Sequence, residues 1–385
     1  MSRVLLLGGN GLLGHNVLKQ LLQQGHDVHA LLRNVSALCL SPHERGKANQ
    51  EGMPTQLTIF QGSLLDDETL RKAAQGCDAI VNCAGVTDMS LLHYEDYLPV
   101  NRDLCGRLLR LMEEEQIKCL VHTSTANTIG YGDPLHCADE QAPMQPPFTN
   151  SYYALSKQEG EAVLAQAAAS HPDWHIVVVN PGFMIGAYDT KPSSGTLLFA
   201  GYRKPLMVAP RGGKSFVHVG DAATAIVNAL TLGHNGGRYL LTGENLSLQQ
   251  FYRLQARACG YRQWVIPLPN VLLALAGKLG DMLRFFGVRT QLSTRNVRQL
   301  MVREYYDNSQ ALTDLHMPQT SIENAISDFF AWQEKKKRGL CCTPIGHSAI
   351  NPNDRFGLNS RITRAEGIPN AQSGVWPYPM YMIGH

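Results

Sequence analysis

Short apolar runs alternate with helical patterns over the first half of the chain. Val4–Leu7, Asp27–Leu32, Leu57–Gln61, Ala79–Asn82, Cys119–Thr123 and Ile176–Asn180 read as strands. Gly14–Gln24, Asp67–Ala74, Arg102–Glu115 and Tyr153–Ala169 read as helices between them. Runs such as Val4-Leu5-Leu6-Leu7 and Ile176-Val177-Val178-Val179 hold no polar residue, as strands buried on both faces require. Strands and helices in this alternation build a parallel sheet covered on both sides.

After Pro181 the pattern loosens, and Gly, Pro and Lys punctuate 182–214. Asp221–Leu232 reads as a helix with Asp221 as its N-cap. From Asn245 to Trp332 the chain reads as mostly helical with little strand. The expected fold class is α/β: a Rossmann-type doubly wound parallel sheet with a smaller, mostly helical C-terminal substrate lobe. The sheet domain is expected over 1–181 and re-entered at about 215–243. The substrate lobe takes 182–214 and 244–334. Residues 335–385, opening with Lys335-Lys336-Lys337-Arg338 and then rich in Gly, Pro and Asn, read as a poorly ordered tail. Within the lobe, Val265–Val288 is apolar but broken by Pro267, Pro269, Lys278, Asp281 and Arg284. Its second half reads as an amphipathic helix of the lobe, with contact to a membrane surface as the second reading.

Composition narrows the function. The 385 residues can bury a large core without disulfides or metal. Lys and Arg number 34 against 32 Asp and Glu. That balance argues against a nucleic-acid partner or a polybasic membrane-surface protein. Nine cysteines without a Cys-x-x-Cys pair suit a reducing compartment, so a cytoplasmic location is expected. The N-terminal apolar run is too short for a signal peptide, and no run reaches the roughly 18 residues of a transmembrane segment. No His/Cys/Asp/Glu cluster has ligand spacing, so no metal is expected.

Leu7-Gly8-Gly9-Asn10-Gly11-Leu12-Leu13-Gly14 ends the first strand and opens the first helix. Glycines at 8, 11 and 14 allow a tight turn, close approach of backbone to a pyrophosphate, and close helix–strand packing. The helix N-terminus then offers unpaired N–H groups to phosphate. At the end of the second strand stands Arg33. An acidic residue there would accept the adenosine ribose hydroxyls, whereas the Arg33 fork suits a 2′-phosphate. This points to NADP(H), with NAD(H) as the alternative. Tyr153 and Lys157 fall one helical turn apart on one face. An ammonium beside a phenol stabilises the phenolate and draws its pKa down, which equips the pair to move a proton. His122-Thr123-Ser124-Thr125-Ala126 ends a strand, where ligand crevices of such sheets open.

Together these residues resemble the extended short-chain dehydrogenase/reductases: the NAD-dependent epimerase/dehydratases, the dihydroflavonol-reductase-like and the 3β-hydroxysteroid dehydrogenase-like enzymes. The resemblance covers about Arg3 to Trp332. It implies Thr125 (Ser124 as the fallback), Tyr153 and Lys157 as catalytic residues. It implies cofactor contacts from Gly8, Asn10, Gly11, Leu12, Leu13, Gly14, Arg33, Ala84, Gly85, Asn101, Tyr153, Lys157, Asn180, Pro181 and Gly182. Phe216 to Asp221 is similar to the junction where such chains re-enter the nucleotide domain. Two positions depart from the pattern: Leu7 replaces a frequent Thr, and Ser63 replaces a frequent Asp that contacts adenine. The resemblance implies hydride transfer between nicotinamide and a carbinol carbon in a small-molecule substrate, in a chain that can form a homodimer. The leading reading is a reductase or dehydrogenase of a ketone/alcohol pair. The alternatives are a nucleotide-sugar epimerase or dehydratase with tightly held NAD, for which Lys191, Arg203, Lys204, Arg211 and Lys214 are the basic candidates, and a non-catalytic dinucleotide-binding scaffold.

Overall fold

The computed structural model describes residues 2–35, 38, 57–190 and 193–339. Six parallel strands come from the apolar runs: β1 (Arg3–Leu7), β2 (Asp27–Leu32), β3 (Leu57–Gln61), β4 (Ala79–Asn82), β5 (Cys119–Thr123) and β6 (His175–Pro181). The chain then visits a lobe containing β7 (Phe183–Ile185), β8 (Leu206–Ala209) and β9 (Gly213–His218). It returns with β10 (Arg238–Leu241), which pairs in parallel with β6 as the seventh strand. The sheet order is β10-β6-β5-β4-β1-β2-β3. The direction of winding reverses between β1 and β4, and ligands of such sheets bind in the crevice opened at that point. The glycine-rich turn follows β1, so it lies at this switch point.

Helices α1 (Leu12–Gln23), α2 (Asp67–Ala74), α3 (Leu104–Glu114) and α4 (Tyr152–Ser170) cover the sheet. Leu70, Leu108, Met112 and Leu164 bury one face against Leu5, Ile80 and Leu120. On the other face Val17, Leu18 and Leu21 of α1 meet Ala222 and Ile226, over Val4, Val81 and Val177. Alternate residues of each strand therefore feed two separate cores, which is why these strands read as unbroken apolar runs.

From Asn245 to Trp332 the lobe is mostly helical with little strand, as its pattern implies. It carries α5 (Gly195–Gly201), then, after the re-entrant α6 (Val219–Asn228), the helices α7 (Leu248–Ala258), α8 (Asn270–Phe285), α9 (Thr294–Arg298), α10 (Ser309–Asp314) and α11 (Ile322–Lys337). It also contains β11 (Glu244–Ser247), β12 (Trp264–Pro267) and β13 (Arg303–Glu304). β9 joins β11, β13 and β7 in a second sheet, and β12 pairs with β8. The new strands have two to four residues, too short for alternation to register. The lobe core gathers Leu198, Phe216, Phe251, Ile322 and Phe329.

Several boundaries shift by a few residues, and two of the shifts involve the lobe. Helix α6 starts at Val219 rather than Asp221, and His218 caps it: Nδ1 accepts from the Gly220 N–H at 3.0 Å. Asp221 instead accepts from Thr320 N at 2.6 Å and Thr320 Oγ1 at 2.8 Å. Its carboxylate ties the re-entrant helix to the segment before α11. Helix α11 also runs on through Lys337, so three residues assigned to a tail form its last turn. Cations there meet the negative end of the helix dipole. The rest of the expected tail, 340–385, lies outside the described residues.

Candidate active site

The first wall of the site is the turn after β1. Gly8 adopts φ +79°, and a side chain on it would bring Cβ within 2.7 Å of the Cys83 and Ala84 backbone. Gly11 donates its N–H to Gly8 O at 3.0 Å, closing the turn. A Cβ on Gly14 would lie 2.2 Å from Gly8 O, so only glycine lets α1 start this close to β1. Helix α1 has Gly11 as N-cap, no side-chain cap and no acidic residue in its first turn. Its leading amides are therefore left for an external acceptor. Leu13 is core and Leu12 packs against the core, so both present backbone to the crevice. Asn10 Nδ2 donates to Asn34 O at 3.3 Å, tying the turn to the end of β2, where Arg33 is exposed. Ser63 turns its hydroxyl to Leu65 N at 3.2 Å and is used locally.

The second wall is helix α4. Ser151 caps it, accepting from Ala154 N at 3.4 Å, and sets Tyr153 and Lys157 on its first turns. Lys157 is buried, and Nζ donates to Thr123 O at 2.9 Å and Ala84 O at 3.5 Å. An ammonium has three donors, so one N–H remains. Gly85 makes room for it: a Cβ there would come within 3.1 Å of Nζ. Asn101 sits in a π-type turn, Pro99–Asp103, and clamps the same segment. Its Oδ1 accepts from Val86 N at 2.8 Å, and its Nδ2 donates to Val86 O at 3.0 Å and Ser156 Oγ at 2.9 Å. Gly160 allows α4 against the Asn101 carbonyl, 2.3 Å from where a Cβ would be.

Thr125 follows β5; its Oγ1 accepts from Asn127 N at 3.3 Å, and its hydroxyl acts on the Tyr153 phenol to lower that group's pKa. Its loop is fixed from below by a buried network absent from the sequence reading. Asn180 Nδ2 donates to Thr125 O at 3.1 Å, Thr128 Oγ1 at 3.0 Å and Glu161 Oε1 at 2.8 Å. Thr128 Oγ1 donates to Glu161 Oε1 at 2.6 Å, and Arg238 pairs with Glu161 at 3.2 Å. The available signal was Glu161 itself, one turn beyond Lys157 on the same helix face. Asn180 thus spends its amide nitrogen on the Thr125 loop. Pro181 ends β6, and Gly182 passes so close to β9 that a Cβ would lie 2.6 Å from Ser215 O.

The electrostatics correct one expectation. Burial pushes the Tyr153 phenol above its ordinary pKa, although the Thr125 hydroxyl opposes this. Lys157 does not draw it down, because its ammonium is turned to the carbonyls of Thr123 and Ala84. Burial in turn lowers the Lys157 pKa. Tyr153 therefore holds its proton at neutral pH, the state of a proton donor. His122, buried between Asn82 and Cys105, is held well below its ordinary pKa by burial and by the Lys157 charge, and is neutral.

The residues fit a dinucleotide. The glycine turn is a cradle that side chains would fill, the α1 amides are uncapped, and the buried Ser124 Oγ and Asn180 Oδ1 have no partner. The basic cluster considered for a sugar diphosphate is thinner than its sequence implied. Lys214 is held by the buried Glu304 carboxylate. Arg203, Lys204 and Arg211 are exposed, and Lys191 lies outside the described residues.

Known proteins share this architecture. The sequence model of the NAD dependent epimerase/dehydratase family matches residues 4–241. Sterol demethylase protein B of Methylococcus capsulatus is 25% identical over 341 residues, 87% of this chain and 99% of that protein. A 4-hydroxy-2-methyl-3-oxo-4-farnesyl-3,4-dihydroquinoline-1-oxide ketoreductase of Stigmatella aurantiaca is 28% identical over 288 residues, 73% of this chain and 80% of that one. The crystal structure of UDP-glucose-4-epimerase from Stenotrophomonas maltophila, with NAD and a formylated UDP-arabinopyranose bound, shares the fold at a TM-score of 0.67. It is 20% identical and covers 88% of this chain and 100% of that one. The chain belongs to the NAD dependent epimerase/dehydratase family, an NAD(P)-dependent oxidoreductase or epimerase/dehydratase by its relatives.

Proposed function

We propose that the protein is an NADP(H)-dependent reductase of a bulky, poorly polar ketone, or a dehydrogenase of the matching alcohol, acting in the cytoplasm. The carrying observation is the placing of Tyr153 and a buried Lys157 on one helix, with Lys157 Nζ held to Thr123 O at the end of the strand that leads to Thr125, next to the glycine turn. Gly8, Gly11, Gly14 and the α1 amides would hold the pyrophosphate, and Ala84, Gly85, Asn101, Asn180, Pro181 and Gly182 would line the nicotinamide end. When bound, the cofactor supplies or accepts the hydride at the substrate carbinol carbon. Tyr153, protonated, gives its phenolic proton to the substrate oxygen as the carbonyl becomes an alcohol. Thr125 orients that oxygen with its hydroxyl. Lys157 keeps one N–H for a ribose hydroxyl.

Arg33 supports NADP(H): its guanidinium is exposed after β2 and suits a 2′-phosphate. The capture of Lys214 by Glu304 favours the reductase over a sugar-nucleotide reaction. The free thiols of Cys77, Cys83, Cys105 and Cys119 suit a reducing cytoplasm. The test is a screen of bulky ketones, followed by loss of NADPH absorbance. Tyr153→Phe is expected to abolish turnover while NADPH still binds. Turnover that survives this change sinks the acid–base assignment.

A further inference from the structure

Helix α8 is built inside out. Its buried stripe is Leu273, Gly277 and Gly280, one and two turns apart. The two glycines press it onto the segment before and within α9: a Cβ on Gly277 would lie 2.6 Å from Val297, and one on Gly280 would lie 2.1 Å from Leu292 O. The large apolar side chains point outward instead. Val271 is 70% exposed, Leu275 58%, Met282 52% and Phe285 86%. The β8–β12 pair preceding this helix continues the theme, with Trp264, Ile266, Leu206 and Val208 exposed on alternate positions. Of the 16 exposed large apolar side chains among the described residues, 13 lie in 264–292 or on its partner β8. A surface helix normally does the reverse, and exposed patches of this kind mark an interaction site.

Charge identifies the occupant. Residues 261–300 carry six Arg or Lys and a single acid, Asp281. That acid accepts from the Thr294 N–H at 3.0 Å and is used at the start of α9. Arg262, Lys278, Arg289 and Arg298 are exposed around the apolar face, as are Arg203 and Lys204 before β8. A second copy docked on the same face by a two-fold axis would set these cations against one another. Residues 340–385 contain three Arg against two acidic residues and offer no complementary charge. An apolar face rimmed by cations, with a tryptophan among its exposed residues, matches the interface of an anionic lipid bilayer.

We propose that α8 and the β8–β12 pair dock this protein onto an anionic membrane surface. The helix lies in the interface plane, since among the described residues no helix is long and apolar enough to cross a membrane. It is also anchored beside the site. Arg284 donates to the carbonyls of Met89 (3.4 Å), Ser90 (3.3 Å) and Leu91 in the loop after β4, and Arg295 covers the Tyr152 ring at 3.5 Å. Docking would therefore bring the mouth of the crevice to the lipid.

The test is flotation of the full chain with vesicles of phosphatidylcholine alone and of phosphatidylcholine with phosphatidylglycerol. The protein is expected to float with the anionic vesicles and to be released by salt. Leu279→Glu with Phe285→Glu should weaken partitioning about 100-fold. Lys278→Gln with Arg289→Gln should weaken it about 30-fold on anionic vesicles only. Both pairs are exposed, so the melting temperature and NADPH affinity should not move. A protein that stays in the aqueous fraction overturns the proposal. So do apolar variants that float like the parent, or a stable dimer in solution that Phe285→Glu splits, since that would assign the face to a second copy.

Discussion

Two glycines of the turn after β1 make a paired prediction that separates folding from nucleotide binding. At Gly14 an alanine methyl would sit 2.2 Å from Gly8 O and 2.7 Å from Gly8 C, both backbone atoms that no rotamer change can move. Normal contact needs about 3.2 Å or more, so α1 must back away by roughly 1 Å. Overpacking of this kind costs about 1–3 kcal/mol of stability. It also withdraws the α1 amides from the phosphate. At Gly11 the nearest atom to an added Cβ is Gly8 O at 3.5 Å, an ordinary contact, and the backbone (φ −84°, ψ 169°) suits any residue. Gly11→Ala should therefore fold as well as the parent. Its methyl, however, stands at the start of α1, where a pyrophosphate would lie. Gly11→Ala should keep the melting temperature but lose about tenfold or more in NADPH affinity, at least 1.4 kcal/mol. Gly14→Ala should lose both stability and affinity. Thermal melts and calorimetric titration with NADPH read the two quantities separately. A Gly11→Ala protein that binds NADPH like the parent would refute the cradle.

Other outcomes follow from named contacts. Arg33→Asp should reverse the preference from NADPH to NADH, read as the ratio of the two dissociation constants; an unchanged ratio removes Arg33 from the site. Glu161→Gln keeps the shape of the buried network but removes the charge that pairs with Arg238, so turnover should fall several-fold while NADPH affinity holds; a loss of affinity equal to the loss of turnover would contradict a role through Thr125. Lys214→Ala leaves Glu304 buried without its partner and should destabilise the protein by about 3–5 kcal/mol, less where Glu304 takes up a proton; urea melts at neutral and acid pH would read this. His122 has a folded pKa well below 6.5, so below pH 6.5 the unfolded chain binds a proton that the folded chain refuses. Stability should then fall as pH falls, by at most about 1.4 kcal/mol per pH unit, and His122→Asn should reduce that slope.

The sheet was legible because each strand is buried on both faces. β2, β3, β4 and β5 match their apolar runs to the residue, and α2 matches Asp67–Ala74. The motif residues were legible because their spacing carries the geometry. Gly8 and Gly14 stand where backbone meets backbone, and Tyr153 and Lys157 share a helix face. What could not be read depends on contacts far apart in sequence. The N-cap of α6 went to His218 because Thr320, about a hundred residues away, claims Asp221. Apart from β9, the strands of the lobe are pieces of two to four residues whose partners lie elsewhere in the chain. The sign of the Tyr153 shift followed from where Lys157 points, which helical spacing alone does not determine. The outward apolar face of α8 was legible only as an apolar segment with interruptions. Its inversion appears once Gly277 and Gly280 are seen to face α9.

The central claim is that the crevice takes NADP(H) and releases it at each turnover. The most direct measurement is to denature purified protein, identify any nucleotide released, and titrate the emptied protein with NADPH and NADH. The expected result is a site that purifies largely empty and binds NADPH at least about tenfold more tightly than NADH, a difference of 1.4 kcal/mol. Stoichiometric NAD that resists exchange would contradict it and assign the protein to epimerase or dehydratase chemistry.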